Sequence, residues 1–320
     1  MKPANTRAHR NPSAFSLVEL LVVIAIIGVV IAILIPALAG ARRQSRKVAT
    51  MATLRDLSNA SNQFFTDNKR NPGYFSPAAM GAAANATANG GFTGMQNLLL
   101  DIAGGITQAP PSAGVIFDVG PGGSTPVRID LTKIGASGTG KGYFAPDKSS
   151  LVADSGLVGS ANNQLMPQIV DAFGNPILAW VADERPSTEF AADNSSTLAK
   201  FYWASNAGVL TSTRIGRDQR DQNNSSMLGG SFATGRVATM AALLGNPAFP
   251  QQNDPTKPAA AKGSIVFQSA GSDGFFMGRY DNATKSFGTP SGGITTVPYT
   301  TGTGIDIMGS YDDVMQAAGN

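Results

Sequence analysis

The chain has 320 residues, of which 42% are apolar and 14% charged, with 37 glycines and 19 prolines. That length supports one large or two small domains with a real core. There is no cysteine and one histidine, His9, so thiol nucleophiles, disulfides and Cys-ligated metals are excluded from the outset.

The first residues form a short polar head carrying Lys2, Arg7, His9 and Arg10. From Leu17 to Ala39 the sequence is almost wholly apolar, interrupted by one charge, Glu19, and one proline, Pro36. An apolar run of about 20 residues can span the hydrocarbon core of a bilayer. In lipid it must be helical, because nothing else there satisfies its backbone groups. A carboxylate in such a run is costly and signals a function with a partner elsewhere.

After Pro36 the helical pattern continues into a basic collar of Arg42, Arg43, Arg46 and Lys47. Val48, Met51, Leu54, Leu57, Phe64 and Phe65 then recur at three- and four-residue steps, with Arg55, Asp56, Asn62 and Asp67 between them. That spacing predicts an amphipathic helix with one apolar stripe. Asn71-Pro72-Gly73 should end it, since proline cannot continue the ladder and glycine suits the turn.

The segment 74–94, rich in Ala, Gly and Asn, reads as a loop, and 95–102 as a short helix. Beyond Pro110-Pro111, β-like runs occur at 115–119, 127–131, 177–181, 198–203 and 264–268, separated by Gly, Pro, Asn and Asp as strands joined by turns should be. A polar loop is expected at 214–226, a second short helix at 233–244 and a linker at 251–262. The expected architecture is α+β, with a long N-terminal helix packing its second half on an antiparallel sheet.

Two motifs invite a chemical reading. Gly135-Ala-Ser-Gly-Thr-Gly140-Lys141-Gly142 nearly fits the phosphate-binding loop. That loop needs Ser or Thr after the lysine and a helix to follow, whereas Gly142 and Tyr143-Phe-Ala-Pro146 stand there; a flexible turn is the better reading. The second is an acidic, glycine-containing segment, Ser269-Ala-Gly-Ser272-Asp273-Gly274, with Asp312-Asp313 near the end of the chain. Clustered Asp and backbone carbonyls can supply the hard oxygens that Ca²⁺ requires, although Asp and Gly also favour plain solvated turns. About 35 residues, including Asp281 and Asp306, separate its two halves. The Asn-x-Ser/Thr sequons at Asn85, Asn194, Asn224 and Asn282 are short enough to arise by chance.

The block Phe15-Ser-Leu-Val-Glu19-Leu-Leu-Val-Val-Ile-Ala-Ile-Ile-Gly28, behind a basic head, resembles the signal of type IV pilins and type II secretion pseudopilins. The resemblance implies that a prepilin peptidase cuts between Ala14 and Phe15 and N-methylates Phe15. Ala14 departs from the family's usual glycine. Glu19 falls at the family's glutamate and Pro36 at its helix-kinking proline. An ordinary secretory signal has a shorter apolar core with its cleavage site after it; here the small residue comes first.

The implied organisation is a leader (1–14), a transmembrane assembly helix (15–41), its amphipathic continuation (42–71) and an extracytoplasmic α+β domain with insertions (72–320). Three of the 24 Lys and Arg lie in the leader, so the remainder carries 21 basic and 21 acidic side chains and no histidine. A neutral mature chain gives no reason to expect nucleic-acid binding, and the loss of His9 removes a Ser-His-Asp triad or His-ligated zinc. By counting alone, four cations after the span against three before it favour the opposite orientation under the positive-inside rule; the resemblance keeps the leader cytoplasmic.

Further along, Asp171-Ala-Phe-Gly174-Asn175-Pro176 resembles a turn of the major pseudopilins. The Ser269–Gly274 loop and Asp312-Asp313 resemble their calcium-binding ending, with Asp273, Asp312 and Asp313 as ligands and Ser269 through its carbonyl. The implied function is a non-enzymatic filament subunit of the bacterial inner membrane that supports secretion. Its implied partners are other subunits, a prepilin peptidase, an assembly ATPase and a platform protein. Two alternatives stay open, an adhesion or DNA-uptake pilin and a membrane-anchored extracytoplasmic enzyme or binding domain.

Overall fold

The computed structural model describes residues 16–86, 91–108, 110, 116–135, 142–147, 150–153, 163, 165–185, 187–212, 225–233, 235–252, 258–278, 281 and 311–319. The chain divides into two units, Met1–Ser45 and Arg46–Asn320.

In the first unit, helix α1 (Leu17–Asn68, 52 residues) begins and passes through Pro36 without interruption. It is the one helix among the described residues long and apolar enough to cross a membrane. Its apolar side chains from Leu17 to Leu38 are exposed on every side. A helix that is hydrophobic all round needs lipid or other helices as its surroundings.

In the second unit α1 changes character, and only one stripe of it is covered. Thr50, Leu54, Leu57, Ser58, Ala60, Ser61 and Phe64 are buried at helical spacing. The helix ends at Asn68, three residues before the expected Asn71-Pro72-Gly73 stop. Lys69 adopts a left-handed conformation (φ 55°), and its N–H still reaches the Phe65 carbonyl (2.8 Å). This is the αL way of closing a helix.

The segment read as a loop holds a one-turn helix, α2 (Pro77–Met80), capped by Ser76. Asn85, seen in the sequence only as a sequon, is buried there. Its amide donates to the carbonyls of Met80, Phe92 and Ala204 (3.0, 2.9 and 3.1 Å). Helix α3 (Gly94–Ile102) starts at a reciprocal capping box between Thr93 and Gln96, which satisfies two otherwise orphaned donors.

Strands β1 (Ile116–Val119) and β2 (Val127–Asp130) pair antiparallel, as do β3 (Leu151–Ala153) and β4 (Pro167–Ile169). The central sheet contains β5 (Ile177–Val181), β8 (Ile265–Ser269) and β9 (Val314–Ala318), antiparallel in the order β5-β8-β9. The central sheet is antiparallel as expected, and one pair outside it is not. β6 (Glu189–Ala192) and β7 (Ala199–Tyr202) run parallel, although parallel strands ordinarily need a longer crossover than the turn between these two. The short helices α4 (Ala207–Leu210) and α5 (Arg236–Leu244) follow.

The central sheet is covered on both faces, which explains why β5 and the first three residues of β8 are apolar without alternation. Ile177, Ala179, Ile265, Phe267, Val314 and Ala318 belong to a core shared with Leu54, Leu57 and Phe64 of α1 and Leu98, Leu99 and Ile102 of α3. The alternate residues Leu178, Trp180 and Val266 belong to a second core with Phe201, Trp203, Leu243 and Phe276. The period-two alternation of a strand therefore divides two hydrophobic layers. The second layer is built mostly from the chain between β5 and β8, with Phe276, Met277 and Tyr311 from beyond β8.

The expected linker 251–262 is partly tied at its ends, where Gly245 bridges Ala261 and Pro250 bridges Pro258. Most of the expected polar loop 214–226 lies outside the described residues.

Candidate functional site

The first site is the beginning of α1. The Ser16 N–H donates to Glu19 Oε2 (2.9 Å), and the Glu19 N–H donates to Ser16 Oγ (3.2 Å). Ser16-Leu-Val-Glu19 is thus a capping box, which fixes where the helix starts. It also places a carboxylate at the positive end of the helix dipole. The sequence reading did not anticipate this local role, though the Ser-x-x-Glu spacing carries it. Glu19 is anchored in place by its own helix, and Pro36 lies within that helix. Ala14 and Phe15 lie outside the described residues.

The second site is built at one end of the central sheet. The turn at Asp171–Asn175 closes with the Gly174 N–H on the Asp171 carbonyl (3.0 Å). Asp171 Oδ1 accepts from the N–H groups of Phe173 and Asn175 (2.8 Å each). Asp171 Oδ2 accepts from the Ser269 hydroxyl (2.6 Å), and Asn175 donates to the Gly271 carbonyl (3.0 Å). The Ala172 N–H reaches Thr50 Oγ1 on α1 (3.3 Å). The turn therefore ties together α1, the start of β5 and the loop after β8. Burial pushes the Asp171 carboxyl above its ordinary range despite these donors.

That loop wraps around Asp312. Asp312 Oδ2 accepts from the Ser272 N–H (2.7 Å), the Ser272 hydroxyl (2.8 Å) and the Asp273 N–H (3.1 Å). Gly271 has a positive φ of 67° and packs against the Asp312 backbone, where a Cβ would collide. Asp273, Asp281 and Asp312 each offer a carboxylate oxygen, all within 4.8 Å of one another. Asp312 Oδ1 is buried and has no hydrogen-bond partner among the described residues. A side chain at Gly278 would intrude on the carboxylates, its Cβ lying 2.7 Å from Asp273 Oδ2 and 2.8 Å from Asp281 Oδ2.

The assembled acids differ from the expected set. Asp273 and Asp312 come together, and the third member is Asp281 from the intervening segment. Asp313 points elsewhere, since adjacent residues entering a strand face opposite sides. Its carboxylate accepts from Gln268 Nε2 (2.7 Å) and from the Met277 N–H (3.0 and 3.2 Å). Gln268 in turn accepts from the Trp180 indole (3.0 Å). Burial pushes the Asp313 carboxyl well above its ordinary range. Its oxygens serve the sheet. The Ser269 side chain is likewise spent on Asp171. Nothing in the sequence separates Asp281 from Asp306, so its place was not legible there. Of the near phosphate-loop motif, 136–141 lie outside the described residues, and no helix follows at 142–147.

Desolvation, then the charge of Asp312, pushes the Asp281 carboxyl from 3.8 up to about 6. A raised carboxyl binds its proton more tightly when folded, so its share of stability is complete at low pH and is lost as pH rises through about 6. Asp281→Asn removes that penalty. With a chelator present, the variant should melt above the parent at pH 7, and the gap should close by about pH 4. Thermal melts across that range check the sign.

Residues 9–35 match the family model of the prokaryotic N-terminal methylation motif. This is the type IV pilin-like signal, and it indicates a precursor that prepilin peptidase processes. No curated protein and no solved structure matches the chain. The motif and the apolar helix that begins within it fit a protein anchored in the inner membrane.

Proposed function

We propose that the chain is a non-enzymatic structural subunit of a type II secretion pseudopilus or a related type IV filament. The observation that carries this reading is the methylation motif at 9–35 running into a 52-residue helix whose first half is exposed and apolar. In the proposal, prepilin peptidase cuts between Ala14 and Phe15 and N-methylates Phe15. The apolar half of α1 holds the subunit in the inner membrane with its globular domain outside, until an assembly ATPase and a platform protein draw it into the filament.

There the helices bundle, and Glu19 exchanges its local Ser16 N–H for the amino terminus of a neighbouring Phe15. Excluded from water, an unpaired carboxylate is expensive, so the pair specifies axial register between subunits. Expression with the assembly machinery should give sheared filaments that contain this chain, seen by electron microscopy and immunogold. Membrane-bound chain with no filament, while other subunits of the same system assemble, would contradict the reading.

Calcium belongs to the same proposal. Asp273, Asp281 and Asp312 supply carboxylates, and Asp312 Oδ1, buried and without a donor among the described residues, is placed as a ligand oxygen would be. Calcium requires six to eight oxygens, so carbonyls of the surrounding loop would complete the shell. Bound there, it would neutralise three mutually repelling carboxylates and hold the loop closed. Calcium should raise the melting temperature of the parent and leave Asp281→Asn nearly unmoved. An equal rise in both would remove calcium from these residues.

A further inference from the structure

An unassigned feature of the globular unit is a cavity of about 610 Å³ between the end of α1, the 72–80 segment and β5. Its volume lies within the range of small-ligand sites. Its wall is apolar at Phe75, Met80 and Val181 and polar at Arg70, Asn71 and Asp183–Arg185. Tyr74 lines the cavity and is 47% exposed, its ring in a T-shaped contact with Phe75 (5.1 Å between centroids).

The charges at this wall are already committed. Arg185 forks onto Asp183 through Nε (3.0 Å) and a terminal nitrogen (2.6 Å), and the Tyr202 hydroxyl adds a bond to the same carboxylate (3.3 Å). Arg70 pairs with Asp101 at 2.7 Å. Asn71 donates to Glu184 (2.9 Å). An anion finds no guanidinium here whose charge is not already balanced by a carboxylate. A cation would face Glu184 with two guanidiniums lining the same space.

An extended peptide is excluded on other grounds. The Ala182 N–H bonds to the Ser264 carbonyl, so alternation turns Ala179 and Val181 to the outer edge of β5. The Ala179 carbonyl is taken by Asn206 (3.0 Å), and the Asp183 N–H by the Lys200 carbonyl (2.8 Å). Beyond Val181 and the Ala179 N–H this edge offers little, too few groups to pair a strand.

What fits is a compact, uncharged ligand rich in hydroxyls. We infer that the cavity at Tyr74 binds a neutral saccharide of one or two rings, the sugar's C–H face lying on the Tyr74 ring. The fixed amide, carboxylates and guanidiniums meet its hydroxyls, since each of these groups keeps spare donor or acceptor capacity after its protein bond. The inference does not depend on filament assembly.

The test uses the full chain in nanodiscs, with glucose, galactose, N-acetylglucosamine, lactose and cellobiose as probes. N-acetylneuraminate, choline and a blocked trialanine peptide are the charged and peptide comparisons. Saturation-transfer NMR and calorimetry should find at least one neutral sugar bound with Kd on the order of 1 mM or tighter. Tyr74→Ala should weaken it roughly tenfold, which corresponds to about 1.4 kcal/mol. Tyr74→Phe should retain it, and Ala78→Trp, which fills the mouth, should abolish it, with thermal melts unchanged in all three. Binding that survives Ala78→Trp, binding of only the charged or peptide probes, or no neutral sugar bound at about 20 mM would overturn the inference.

Discussion

Replacing Glu19 with alanine should abolish filament assembly while leaving the chain in the membrane. The apolar run that follows loses nothing by the change and still spans. The Ser16 N–H loses its acceptor, but it lies at the exposed start of the helix, where other oxygens can replace the carboxylate. What cannot be replaced is the one acidic group in the apolar half of α1. With no carboxylate to be satisfied, one axial register between bundled helices is no longer preferred over its neighbours. Sheared filaments should fall by a factor on the order of ten or more, with membrane-bound subunit unchanged. Glu19→Asp, which shortens the reach of the carboxylate, should fall between the two. Unaltered filament yield from Glu19→Ala would leave the residue as a helix cap only.

The second large effect is expected in the sheet. Phe267 lies in the middle strand, fully buried in the core shared with Leu54 and Leu57 of α1. Truncating a buried Phe to Ala costs about 3–5 kcal/mol, because lost transfer energy and a cavity add. For a domain of this size, Phe267→Ala should lower the melting temperature by on the order of 10 °C. Phe249→Ala, at a side chain that is 56% exposed, is the matched control and should move it little. A small shift for Phe267→Ala would mean that the α1 stripe and β8 do not form one cooperative core.

The apolar run, the amphipathic stripe and the strongest strands were legible because their patterns are local. Leu54, Leu57 and Phe64 recur at helical spacing, and Ile177–Val181 is wholly apolar and preceded by Gly174-Asn175-Pro176. β9 was not legible. Val314–Ala318 contains alanine and glutamine and is a strand because β8 pairs with it throughout. The parallel pair β6 and β7 was hidden for a similar reason, since strand direction is set by how the turn between them returns. The early end of α1 depends on a left-handed Lys69, a conformation no side chain but glycine or asparagine advertises.

At the acidic site, Asp273 and Asp312 were legible from their glycine-containing and acidic surroundings. Asp281 was not, because its proximity to them is a product of chain folding alone. Asp313 was misread for a physical reason. Two consecutive acids look like one charge cluster, but at a strand entrance they part: Asp312 joins Asp273 and Asp281, while Asp313 is held by Gln268 and the Met277 N–H. The cavity at Tyr74 carried no sequence signal, since its wall is drawn from the end of α1, the segment after it and a strand about a hundred residues later.

The measurement that bears most directly on the central claim is the intact mass and N-terminal peptide of the chain purified from its native membrane. The account predicts a chain that begins at N-methylated Phe15, with the first 14 residues removed. A chain that keeps Met1–Ala14, or one cut after the apolar run beyond Ala39, would contradict it.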